Sequence, residues 1–118
     1  MSGETRELEL LRWQFTLGSR LALHHLPHLT DEACFWSPAP GAWTARLGRD
    51  GARRPDWAEV EPDPAPAVTI AWLTWHVIWW LSDLMSAVRN EPQRTRQECV
   101  WPGSAAAAAA RIETLLAS

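Results

Sequence analysis

The chain has no lysine, no tyrosine and only two cysteines, and these shortages narrow what it can be. All eleven of its strong bases are therefore arginines, and fourteen carboxylates leave a net charge of −3. The tightest basic cluster, Arg49, Arg53 and Arg54, is diluted by Asp50, Asp56 and Glu59. Nucleic-acid binding needs clustered bases against phosphate and is not expected here. Cys34 and Cys99 provide neither a disulfide framework nor a CxxC metal site, so both read as free thiols in a reducing cytoplasm. The segment Met1–Glu7 lacks the basic-then-apolar layout of a signal peptide. Gly48 and Gly51 lack the strand-turn-helix setting of a phosphate-binding loop. Neither cysteine has a base near it in sequence, so nucleophilic catalysis has no positional support.

What the chain does have is tryptophan, nine in 118 residues, enough chain for one domain with a real core. Four of them crowd into residues 69–81 around a single histidine, His76. Three helices are expected. The first spans 4–26, with Leu8, Leu11, Phe15, Ala22 and Leu26 on one stripe and Leu10, Trp13, Leu17 and Leu21 on a neighbouring one. Pro27 ends it, because the residue before proline is pushed out of the α region. Thr30 reads as the N-cap of a further short turn. The second long helix spans 69–90, apolar nearly all round over its first turns, and is expected to be buried on most sides. The third spans 104–117, with Ser104 as N-cap, an alanine run, and a stripe of Ile112, Leu115 and Leu116.

Between Trp36 and Val68 lie six of the nine prolines, and neither a helical nor an alternating period survives. A connection of about thirty residues in a compact domain tends to cover something. Trp36, Trp43 and Trp57 indicate that it packs, since disordered segments are poor in aromatics. The stretch 67–88 is long enough to cross a bilayer. However, His76 and Asp83 would sit within the span, and its tryptophans cluster internally instead of girdling the ends. A buried bundle helix is the expected form, with no membrane role.

The segment Leu29–Arg46, the Pro-rich crossover and the run Thr69-Ile-Ala-Trp-Leu-Thr-Trp-His76 together resemble the DinB-like superfamily in order and spacing. The resemblance implies an all-α, four-helix bundle with a long crossover, and residues 1–118 would be a single domain holding three of the four helices. In many members it also implies a metal held by three histidines. His76 matches the position of one of them, while the other two belong to a last helix that this chain lacks. Thiol-dependent transferases and isomerases occur among the relatives.

The residues themselves agree with that gap. Trp72, Leu73, Trp79 and Trp80 occupy the helical neighbours of His76, and Asp83 alone lies on roughly its face. His76 is thus either a core histidine bonded to a carbonyl or to Asp83, or a single candidate metal ligand. No cofactor is expected for this chain alone, and Zn²⁺ or Ni²⁺ would need ligands supplied from elsewhere. His24 and His28 have metal-pair spacing, but Pro27 breaks the helix between them, and a solvated helix end is the simpler reading. Two functions stay open. One is a bundle enzyme or its remnant, with a pocket lined by Trp72, Trp75, Trp79 and His76 that takes a small apolar or thiol-bearing ligand. The other is a non-catalytic interaction module. In that case a homodimer or a missing C-terminal segment covers the flank a fourth helix would occupy, with Trp79 or Trp80 and the Ile112, Leu115 and Leu116 stripe at the contact.

Overall fold

A computed structural model describes residues 3–117; Met1, Ser2 and Ser118 lie outside it. Helix α1 (Gly3–His25) gives way to a 3-10 turn at Leu26–His28 that contains Pro27, where the sequence requires the α-helix to stop. Helix α2 (Asp31–Cys34) is a single turn, started by Thr30, whose hydroxyl accepts from the Ala33 amide at 3.1 Å. Helix α3 (Ile70–Val88) starts on Thr69 and closes at Asn90, which takes the left-handed conformation (φ 56°) just before Glu91-Pro92. Helix α4 (Ala105–Ala117) starts on Ser104, which accepts from the Ala107 amide at 3.0 Å. Asp31 also accepts from the Ala105 amide at 2.6 Å, so one carboxylate ties the start of α4 to the start of α2.

The crossover is more regular than its composition suggests. Strands β1 (Ala45–Leu47) and β2 (Arg53–Pro55) form an antiparallel hairpin, with Ala45 opposite Pro55 and Leu47 opposite Arg53. The chain reverses through Gly51 (φ 82°), and Gly48 donates to the Ala52 carbonyl at 2.8 Å. Arg46 and Asp56 clasp the hairpin's open end through two hydrogen bonds of 2.9 and 2.8 Å. The fold is therefore largely helical with a small two-stranded sheet, and the all-α expectation is corrected to that extent. Three backbone bonds close the crossover on itself and pin it to the body. Trp43 donates to Ala67 and accepts from Thr69, each at 2.9 Å, and Trp101 donates to the Arg53 carbonyl at 2.8 Å.

The core is the contact of α3 with α4. Ala71, Thr74, Trp75 and Ile78 repeat at helical spacing on α3 and meet Ala105, Ala108, Ile112 and Leu115 of α4. The alanines of α4 leave room for Trp75 and Trp101, the two indoles that are almost wholly buried. Both find polar partners. Trp75 Nε1 donates to the Cys99 carbonyl at 2.6 Å, and Trp101 Nε1 donates to the Thr74 hydroxyl at 2.9 Å. That hydroxyl itself donates to the Ile70 carbonyl at 2.9 Å, so the network is closed.

Two expectations about burial fail. Helix α3 is covered on one side only: Leu73, Val77, Trp80, Leu84 and Val88, at steps of three and four, are all exposed. An all-round apolar helix reads as buried, but no element among the described residues covers that face. The α4 stripe fails in the other direction. Ile112 and Leu115 are buried against α3, so they are not available for a contact between molecules. Further uncovered apolar surface lies on α1, which has no buried residue. No helix among the described residues is long and apolar enough to cross a membrane.

Candidate functional site

Trp72, His76, Trp79 and Asp83 follow one another at steps of four, three and four, so they form one stripe on α3 between its buried and exposed faces. Trp57, carried in from the crossover after β2, closes over that stripe. Its ring stands nearly perpendicular to Trp79 (87°, centroids 5.9 Å apart) and nearly parallel to Trp72 (17°, 6.5 Å). The crossover strap is held in place where Trp72 Nε1 donates to the Asp56 carbonyl at 3.0 Å.

A cavity of about 570 Å³ opens where Trp57, His76, Trp79 and Trp80 meet Asp83 and Gln93. A smaller one of about 330 Å³ lies on the other side of His76, between Trp72, Trp43 and Trp57. His76 borders both. Its ring stacks on Trp72 at 12° and 5.1 Å, and neither of its nitrogens has a hydrogen-bond partner among the described residues. The core histidine bonded to Asp83 or to a carbonyl is therefore not what forms. Asp83 is also unmatched, because its buried Oδ1 has no partner.

Of the expected pocket residues, Trp79 and His76 line the larger cavity and Trp72 lines the smaller. Trp75 belongs to neither. It is wholly buried with its indole N–H committed to Cys99, so it is a core residue and cannot meet a ligand. The sequence reading missed Trp57 and Trp80 as pocket walls. Trp80 was within reach of helical periodicity, four residues beyond His76. Trp57 was not, because no local pattern says where an irregular strap will lay a side chain.

Burial lowers the His76 pKa from the ordinary imidazole value. The ring is thus neutral near neutral pH, and the folded state resists its protonation. An unfolded chain protonates His76 near pH 6.5. Stability from this residue is fully present above that pH and is lost as pH falls from there toward the depressed folded value. We expect His76→Gln to remove that share of the acid loss, so that wild type and variant curves converge or cross as pH drops. Urea midpoints measured over that range check this, and strictly parallel curves would refute it.

No group of three or more His, Cys, Asp or Glu residues able to hold a metal occurs among the described residues. The three-histidine centre implied by the resemblance therefore does not fit the residues around His76. His24, His25 and His28 are exposed at the end of α1, with ring centroids of 5.0 and 6.1 Å from His24, as a solvated helix end would have them. Cys34 and Cys99 are free and buried. Burial raises both thiols above their ordinary pKa, and Asp31 adds to the effect at Cys34, so neither offers a thiolate near neutral pH.

No family model, curated protein or solved structure matches this chain.

Proposed function

We propose that this chain is a DinB-like bundle protein that holds a small apolar or thiol-bearing molecule in the tryptophan pocket beside His76, as a remnant of a metal- or thiol-dependent transferase acting in the cytoplasm. One observation carries the reading. The cavity of about 570 Å³ is walled by Trp57, Trp79 and Trp80, with only His76, Asp83 and Gln93 as polar points. A concave apolar site with a few convergent polar groups is the ordinary form of a small-molecule site. The nine indole N–H groups provide the test, since each gives its own nitrogen-correlated NMR signal. A library of small apolar molecules and low-molecular-weight thiols should contain members that shift the Trp57, Trp79 and Trp80 signals and leave Trp13 and Trp36 unmoved. A library that moves none of the three pocket signals overturns the reading.

A second reading rests on a separate observation. Eight large apolar side chains of α1, from Leu8 to Leu23, are exposed. Monomeric proteins rarely leave contiguous patches of more than a few hundred Å² uncovered. On this reading the chain is an interaction module whose α1 face meets a second copy of itself.

A further inference from the structure

We propose that the pocket of Trp57, Trp79, Trp80, His76 and Asp83 is a cage for an organic cation, a substituted ammonium group with Asp83 as its counter-charge. The proposal rests on the small-molecule reading above and names the ligand class. Three features of the pocket support it.

Its walls are indole rings set at an angle to one another. Trp57 and Trp79 cross at 87°, and Trp80 with His76 makes a further side, their rings tilted by 53° at 5.7 Å. An indole face is the best of the aromatic faces for a cation, and several of them around one volume suit an ammonium bearing methyl groups, which cannot use hydrogen bonds.

The charge pattern is the second feature. No arginine lines this cavity among the described residues, and its one ionisable wall besides His76 is Asp83. His76 adds no positive charge near neutral pH, because its ring stays neutral there. Asp83 also lines a second cavity, which it shares with Arg89, Arg94 and Arg111, but none of the three forms an ion pair with it among the described residues. Asp83 has a buried Oδ1 without a hydrogen-bond partner among the described residues. An unmatched buried acceptor costs free energy until a complementary charge arrives.

The third feature is a contact the chain makes itself. The Arg96 guanidinium lies over the Trp57 ring at 4.9 Å, its charge offset by Glu59 at 2.7 Å. Trp57, one wall of the pocket, thus already carries a cation on its ring.

Choline chloride and its uncharged carbon isostere tert-butylethanol have the same shape and differ in charge, so titrating each into the whole chain at fixed ionic strength isolates the cation. Binding is read from the indole signals and by calorimetry. We expect choline to bind at least about tenfold more tightly than the alcohol, the scale of a desolvated cation–π contact. Asp83→Asn should weaken choline more than the alcohol and so reduce that preference. Trp80→Leu, at an exposed position without a hydrogen bond, should weaken choline more than the alcohol. Equal binding of both probes overturns the cation proposal and leaves the small-molecule reading standing. Choline affinity unchanged in Asp83→Asn overturns the role of the carboxylate. If neither probe moves the pocket signals of a chain that is folded by circular dichroism, the cation proposal falls, and the thiol and apolar library then decides the broader reading separately.

Discussion

Replacing Trp75 with alanine lowers the unfolding free energy by about 3–5 kcal/mol, the range for truncating a buried large aromatic. Trp75 has no exposed surface and sits where α3 meets the loop before α4. Its loss leaves a cavity that alanine-rich α4 cannot fill, since Ala105 and Ala108 have no side chain to extend into it. It also leaves the Cys99 carbonyl without its donor. Trp75→Phe keeps most of the volume and loses the hydrogen bond, so its cost should be smaller, about 1–3 kcal/mol. Urea unfolding of the two variants beside wild type checks the ordering. A cost below about 1 kcal/mol for Trp75→Ala would mean that Trp75 is not the centre of the core. Domains of this size have only about 5–15 kcal/mol in total, so the alanine variant stands near the edge of folding.

The same residue shows where sequence reasoning stops. The tryptophans at 72, 75, 79 and 80 were visible as one cluster on one helix, and their spacing fixes which of them share a face. It does not say which face meets what. Trp75 reads as a pocket residue until the position of α4 is known, and only then does it become the buried centre. Trp57 is the converse. Its neighbours Asp56 and Pro55 give no periodicity, and its place over α3 is set by distant partners, Trp72 Nε1 on the Asp56 carbonyl and Trp101 on Arg53. Local chemistry was legible wherever the cause was local. Thr30 and Ser104 were read as N-caps, and their hydroxyls each satisfy an amide three residues on, as Thr69, expected within the helix, also does. The hairpin at 45–55 was hidden because its strands are three residues long and carry Pro55 and three arginines. Its stability comes from Arg46 with Asp56 and from Arg53 donating to the Ala45 carbonyl at 2.9 Å, pairings that no alternation of apolar residues announces.

The remaining large effect concerns α1, whose large apolar side chains from Leu8 to Leu23 are exposed. Leu10, Trp13, Leu17 and Leu21 repeat at steps of three and four, each about half exposed. Their stripe faces away from the groove in which Phe15 and Ala22 approach Val77 and Leu81 of α3. A helix of 23 residues without a buried residue gains little from its own packing, since most helical stability in proteins comes from an apolar face against a partner. Each 100 Å² of apolar surface removed from water contributes about 2.5 kcal/mol. A patch of several hundred Å² on each copy therefore exceeds much of the association cost of about 4–15 kcal/mol. In a two-fold contact every substitution is felt twice, because the same face is presented by both copies. We expect the wild type to be a dimer at micromolar concentration and the double variant Leu17→Glu/Leu21→Lys to be monomeric. The charges are chosen at i, i+4 with the acid first, an arrangement that supports the isolated helix, so helical content should hold while association is lost. Light scattering with circular dichroism on both proteins reads the two properties separately. A wild type that stays monomeric at high concentration would end the self-association reading. A double variant that remains dimeric would move the contact away from this stripe, toward the exposed Leu73, Trp80 and Leu84 face of α3.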